Sequence, residues 1–331
     1  MADSYDLVPH ATLGNLPAKV CALTRLAFGT YPGVLVPTEA DMAWYIRRPG
    51  MDAYLSRAAL WGEQLAASLF VTVAPVKLGG RLQLVGIVDT VMTHPDHRCR
   101  GLARRLLIEA IGLMRERGLA ASLLYTLPGS VGYELYRSLG YRPHVPVHYL
   151  RRRQPSMAAP DLTIGSASPA PAASSSGLIA FLNRRLAGAD GYIPLDGPLW
   201  CWRRQMRPES LPAQTVVVTE GRRLLGCGTL CHAPIVGSAA PAWVLADLAL
   251  APGSSARAWL ECILAVAHPG DDVIALCAES DRKNLALLQS IGFAPSGCEV
   301  AMVLPLAPEV RDTLATTERP WYVLVESVIG V

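Results

Sequence analysis

One stretch of this sequence gathers arginines and small residues where a strand gives way to a helix. It reads Val91-Met-Thr-His-Pro-Asp-His-Arg-Cys-Arg-Gly-Leu-Ala-Arg-Arg-Leu-Leu107. A helix start carries free backbone N–H groups and the positive end of the helix dipole, so it suits a phosphate. Gly101 lets the backbone come close to an anion, and Ala103 keeps the first turn open. Arg98, Arg100 and Arg104 add positive charge. The physical reading is a pyrophosphate site.

The rest of the chain bounds what can surround that site. Its 331 residues allow two domains, since one domain takes roughly 100–200. A balance of 30 Lys+Arg against 27 Asp+Glu argues against nucleic acid or an anionic membrane as the main partner. With 51% hydrophobic and 17% charged residues the chain is not disordered. The most apolar long stretch, Ala240 to Ala267, is broken by Asp247, Pro252, Arg257 and Glu261, and a spanning helix needs about 20 mostly apolar residues. Asp3 and Asp6 leave the start without the basic, then apolar, pattern of a signal peptide, so a cytoplasmic location is expected. The eight cysteines include no C-x-x-C pair, and Cys227, Cys231 and His232 lack an obvious fourth ligand. They read as small buried thiols, and no metal is expected.

Periodicity predicts the elements that must position the loop. Helices are expected at Leu16–Phe28 and at Glu39–Arg47, the second capped by Thr38. Strands follow at Ala53–Trp61, Leu65–Val76 and Leu82–Thr93, then a helix from Leu102 to Arg117. Strand Ala120–Thr126, helix Val131–Leu139 and strand Tyr141–Leu150 complete the half. The stretch Arg151 to Gly177, rich in Pro, Ala and Ser, reads as a break. Beyond it the order repeats: a strand near Leu162, helices at Leu178–Leu186 and Trp200–Met206, three strands to Leu250, a helix at Ala256–Ala267, strand Asp272–Ala278, helix Asn284–Ile291 and strand Cys298–Leu304. Tyr136-Arg-Ser-Leu-Gly-Tyr141 parallels Leu288-Gln-Ser-Ile-Gly-Phe293. Two copies of one α/β fold are therefore expected. A first domain is read over 1–153, a linker and second-domain start over 154–176, a degenerate copy over 160–306 and a tail over 307–331.

The loop resembles the acyl-CoA-binding signature of the GCN5-related N-acetyltransferase (GNAT) superfamily, Gln/Arg-x-x-Gly-x-Gly/Ala at a strand-to-helix junction. Arg98-Cys99-Arg100-Gly101-Leu102-Ala103 fits each required position, and Leu135-Tyr136-x-x-x-Gly140-Tyr141 follows. The resemblance implies tandem GNAT folds with mixed central sheets flanked by helices. It places acyl-CoA in a splay between the fourth and fifth strands, its pyrophosphate on the Arg98–Ala103 loop and Arg104, and its pantetheine alongside Val91, Met92 and Thr93. An amine attacks the thioester directly, so a base must first take its proton. The resemblance makes Tyr136 the acid that protonates the leaving thiolate. Asp89, just before the pantetheine-pairing residues, is the candidate base. His94 and His97 read as positioning residues of the loop. Glu39 and Asp41 start a helix where acceptors usually enter, and Trp200 and Arg203 lie on an aromatic, basic helix that can grip an acceptor. One departure is Gly129, where many members carry an Asn.

The second copy has lost this equipment. Leu248-Ala-Leu-Ala-Pro-Gly-Ser-Ser-Ala-Arg-Ala-Trp259 has no Arg-x-x-Gly-x-Ala, and Leu288 stands at the tyrosine position. One acyl-CoA site is expected, with the second copy completing the acceptor cleft in a monomeric pseudo-dimer or a homo-oligomer. Pro320–Glu326 reads as an added strand. In the enhanced-intracellular-survival aminoglycoside acetyltransferases, which share the loop, the C-terminal carboxylate serves near the active site, which makes Val331 or Glu326 a further base candidate. Mycothiol synthase resembles the chain less, because its C-terminal copy is the active one. The long-chain N-acyltransferases of lipoglycopeptide antibiotics match best in length and in having an active N-terminal copy. The expectation is thus an N-acyltransferase moving an acyl group from acetyl-CoA or a longer acyl-CoA to a small-molecule amine, an amino sugar first. A protein amine and a non-catalytic acyl-CoA sensor are the alternatives.

Overall fold

The structure, a computed structural model, describes residues 4–155, 166–169, 175–238, 240–316 and 318–330. The strand expected near Leu162 lies outside them. The first copy runs β1 (Asp6–Pro9), α1 (Leu16–Phe28), α2 (Glu39–Tyr45), β2 (Arg57–Trp61), β3 (Gln64–Leu78), β4 (Arg81–Thr93), α3 (Leu102–Glu116), β5 (Ala121–Thr126), α4 (Val131–Ser138) and β6 (Arg142–Arg153). The second runs β7 (Ser166–Pro169), α5 (Ser175–Leu186), α6 (Gly197–Trp200), β8 (Ala213–Glu220), β9 (Arg223–Ala233), β10 (Ala242–Leu250), α7 (Ala256–Leu264), β11 (Asp272–Ala278), α8 (Arg282–Ser290) and β12 (Ala294–Pro305). Helices α9 (Pro308–Thr316) and α10 (Val325–Val328) follow.

Local chemistry explains the elements near the site. Thr38 caps α2 through a capping box, its hydroxyl accepting from the Asp41 N–H at 3.2 Å while the Asp41 carboxylate accepts from the Thr38 N–H at 2.6 Å. Helix α3 buries Leu102, Leu106, Leu107, Ala110, Ile111 and Met114, a stripe at helical spacing that lies on the sheet.

The strands join one sheet rather than two, in the order β1-β2-β3-β4-β5-β12-β6-β11-β10-β9-β8-β7. Among the described strand pairs only β4–β5 and β10–β11 are parallel. Each copy's last strand crosses to the other copy. β6 pairs with β11, from Val147 opposite Ala278 to Arg153 opposite Asp272. β12 pairs with β5, from Val300 opposite Thr126 to Pro305 opposite Ala121. The two exchanged strands also pair with each other, Glu299 facing Val147 and Val300 facing Pro146. This exchange leaves neither β5 nor β11 as an open edge.

Two expectations about the second copy are corrected. The helix expected at Trp200–Met206 ends at Trp200 and continues as a single wide turn over Cys201–Gln205, closed by the Met206 N–H bonding the Cys201 carbonyl at 2.9 Å. The turn sets Trp202 flat on Trp44, with ring centroids 4.6 Å apart, and each indole N–H bonds the other residue's carbonyl at 3.0 Å. The tail is not a strand. It makes one bridge, Trp321 to Asp190, and then turns into α10. Two backbone bonds to Asp190 flank that bridge, and side chains add to them: Trp321 donates to the Tyr125 hydroxyl at 3.1 Å and Tyr322 to Asp247 at 2.9 Å.

Candidate active site

The site begins where β4 and β5 part. They pair only from Val85 to Ile87, opposite Ala121 to Leu123. Beyond that Thr90 takes a left-handed conformation (φ 50°), and the register of β4 against β3 slips between Ser68 and Phe70. A β-bulge of this kind bends a strand and ends its pairing. Between the diverging strands lies a cavity of about 360 Å³. Its walls come from Asp89–Val91, Leu124–Thr126 and Tyr136, from α1 and α2, from Glu299 of β12, and from the tail at Glu326–Gly330. Val91 thus lines the cavity, and Met92 and Thr93 continue β4 toward the loop; Met92 itself packs in the core beneath α1.

The loop at the end of β4 has the form an anion site needs. Cys99 (φ 61°) and Gly101 (φ 72°) are both left-handed, a conformation that recurs in anion-binding nests. For Cys99 this conformation is strained, and strain of this kind gathers at functional sites. Helix α3 opens with no side-chain cap and no acidic residue in its first turn, so its N–H groups await a partner. A Cβ at Gly101 would meet nothing within 4 Å, so the approach is open. Leu102 is buried beneath the loop. Arg104 turns away and donates to Ser138 on α4 at 2.6 Å. His97 is fixed between the Tyr5 hydroxyl (2.9 Å) and Gln64 (3.3 Å), and His94 accepts from the Asp96 N–H at 3.2 Å. These bonds tie His97 to β1's flank and to β3, and His94 to the turn that follows it.

Inside the cavity the acidic groups differ sharply. Asp89 is buried in an ion pair with Arg48 at 2.6 Å, and its other oxygen accepts from Thr90 at 3.0 Å. Asp41 is committed to the capping box and to Ser210. Glu326 is ion-paired with Arg203. Glu299 has no cation among its described partners. It accepts long hydrogen bonds from Tyr149 (3.3 Å) and Tyr31 (3.5 Å), and burial pushes its carboxyl up to about 7. Tyr136 is buried, and burial, with lesser contributions from Tyr141, Tyr31 and Glu299, keeps its phenol protonated well above the ordinary range.

Of the proposed acceptor contacts, Asp41 lines the cavity and Glu39, two residues earlier in α2, is exposed. Trp200 is packed in the core, and Arg203 approaches the cavity only through Glu326. Glu299 and Tyr31 were not singled out by sequence reasoning. The available signal was one carboxylate in the apolar run Val300–Leu304 and its flank. Among the described residues no cluster of three His, Cys, Asp or Glu could hold a metal, and no helix is long and apolar enough to cross a membrane.

The fold and loop together define an acyltransferase scaffold. The sequence pattern of the Acetyltransferase (GNAT) domain family matches residues 18–144, from within α1 through α4, with the loop between. The match makes residues 18–144 a GNAT-type domain. Two solved structures are similar over nearly the whole chain. Saccharomyces cerevisiae N-myristoyltransferase with bound myristoyl-CoA has a TM-score of 0.70 at 13% identity, covering 92% of this chain and 80% of that one. A GCN5-related N-acetyltransferase from Anabaena variabilis has a TM-score of 0.67 at 13% identity, covering 92% and 73%. No curated protein matches by sequence.

Proposed function

We propose that this protein transfers an acyl group from acyl-CoA to a small primary amine, using the first copy alone for acyl-CoA. The carrying observation is the cavity opened by the Thr90 bulge, with Tyr136 and Val91 in its wall and β4 running on from Val91 to the Arg98–Ala103 loop. Pyrophosphate on the Arg98–Ala103 loop would lay pantetheine along Val91–Thr93 and bring the thioester into the cavity. The amine nitrogen bonds the thioester carbon, the carbon–sulfur bond breaks, and the Tyr136 phenol protonates the departing thiolate. Its pKa, raised by burial, keeps that proton available at every working pH.

The acceptor reading rests on charge and size. The described cavity wall carries four carboxylates and no lysine or arginine, a lining suited to an ammonium group. Its volume of about 360 Å³ is that of a small-molecule site. An amino sugar of a natural product fits these features, and the apolar walls at Phe28, Leu35, Met42, Leu124 and Ile329 fit an acyl chain longer than acetyl. The test is thiol release from acetyl- to decanoyl-CoA with a panel of amines. Wild type releases thiol faster with the longer chains, and Tyr136→Phe loses about 10²-fold or more in kcat. A steady preference for acetyl would remove the long-chain assignment, and unchanged Tyr136→Phe activity would remove the acid.

A further inference from the structure

The reaction needs a group that accepts a proton from the acceptor ammonium, and the cavity offers four carboxylates. Three are committed: Asp89 to Arg48, Glu326 to Arg203, and Asp41 to the start of α2. The fourth, Glu299, is different in kind and in origin. It stands on β12, the last strand of the copy that has lost its own acyl-CoA loop. The strand exchange carries it across to β5, where its neighbour Val300 faces Thr126 in the cavity wall.

We propose that Glu299 is the general base of the reaction, supplied to the active copy by the exchanged strand of the inactive one. This rests on the N-acyltransferase reading. Both described hydrogen bonds to the carboxylate fall on Oε1, which leaves Oε2 without a described partner on a residue that lines the cavity. Oε2 is thus the atom that takes the proton. Glu299 and Tyr136 share the cavity and sense each other's charge, so base and acid flank one space. The titratable groups facing Glu299 are Tyr31, Tyr149 on β6, Tyr125 on β5, Tyr136 on α4 and its neighbour Cys298. All are neutral at pH 7, so burial rather than a charged partner governs the carboxylate and holds it near 7, where a base serves best.

The step balances. Oε2 takes one proton from the ammonium, and the freed lone pair forms the carbon–nitrogen bond. The carbon–sulfur pair leaves on sulfur, which takes the Tyr136 proton. The nitrogen's second proton passes through solvent to the tyrosinate, and Glu299 later gives its proton to solvent. The products are one amide, one CoA thiol and one released proton.

Register makes the assignment specific to one copy. Val300 faces Thr126 at the end of β5 as Val147 faces Ala278 at the end of β11. The counterpart of Glu299 is therefore Pro146, which has no proton to exchange.

The test is the pH profile of kcat/KM with decanoyl-CoA and acetyl-CoA against glucosamine, hexylamine and a short peptide amine. Wild type rises with pH through about 7. Glu299→Gln loses that limb and at least about 10²-fold in kcat/KM while acyl-CoA affinity stays within about twofold. Glu299→Asp restores part of the limb. Tyr31→Phe with Tyr149→Phe removes the hydrogen bonds that favour the charged form, so the limb moves to higher pH; this arm serves if Glu299→Gln does not fold. A Glu299→Gln enzyme with the wild-type rate and limb overturns the base alone. No thiol release from wild type with any of these amines overturns the acyltransferase reading and the base with it.

Discussion

The two copies meet their equivalent clefts in opposite ways. In the first, β4 and β5 diverge around open space. In the second, β10 and β11 pair from Trp243 to Leu245 and then diverge in the same manner, with Asp247 left-handed (φ 51°) as Thr90 is. That second splay is filled by the chain itself. Trp321–Val323 and Val325 lie against Leu245–Leu248 and Ala275–Ala278, leaving only about 70 Å³. Asp247 is buried between Arg204 and the Tyr322 hydroxyl, and Arg204 holds its carboxyl below the ordinary range. A cleft that has lost its anion loop has become a socket for the tail. The tail then runs on to form a wall of the working cavity at Glu326–Gly330. Through β12 the second copy thus adds Glu299 to the cavity of the first, and the tail adds Glu326–Gly330.

The sharpest way to break this contrast is to empty the socket. Trp321 is 2% exposed and bonds Tyr125, a residue of the working cavity. Trp321→Ala is expected to cost about 3–5 kcal/mol in urea denaturation. It also lowers kcat/KM, because the Leu324 N–H rests on the same Tyr125 hydroxyl at 3.4 Å. Full stability in that variant would mean the tail only lies over the cleft.

Glu299 sets the copies apart in stability as well. Its folded-state carboxyl is raised from 4.5 to about 7 by burial, so the folded chain keeps a proton that the unfolded chain has released. That contribution is fully present below about 4.5, falls across the interval and is lost by about 7. Glu299→Gln therefore stabilises at pH 8 by up to about 3 kcal/mol, since each tenfold change in proton affinity is worth about 1.4 kcal/mol, and changes little at about pH 4. Denaturation at the two pH values reads the difference. Equal gain at both would show that packing, not charge, limits the site.

How much of this could be read beforehand follows from what a local pattern encodes. Leu16–Phe28 is the observed α1, because its apolar spacing and the flanking Asn15 and Gly29 are all local. The Arg98–Ala103 loop and the loss of its counterpart before α7 were legible for the same reason. Strand exchange was not. The continuous apolar run Val300–Leu304 of β12 reports that both faces are covered, not which edge the strand joins, and β5 and β11 are equivalent partners by pseudo-symmetry. Glu299 inherits that ambiguity, since its meaning depends on the sheet it crosses into. The tail misled for a related reason: Trp321-Tyr322-Val323-Leu324-Val325 has strand composition, but its burial comes from a cleft with no free edge.

The smallest change that should separate the copies is one methyl group at the anion loop. At Gly101 a Cβ meets nothing within 4 Å, and α3 begins there without a cap. The free protein should tolerate Gly101→Ala at about 1–2 kcal/mol for the left-handed backbone. A bound pyrophosphate would not, because the methyl occupies the space through which it reaches the N–H groups. Acyl-CoA affinity is expected to fall about tenfold, near 1.4 kcal/mol, with kcat little changed. At the matching helix start, Ser255 also makes no cap bond to α7, so Ser255→Gly should leave affinity unchanged. Calorimetric titration reads both, with one acyl-CoA per chain throughout. A stoichiometry of two, or an affinity loss in Ser255→Gly, would return a binding role to the second copy.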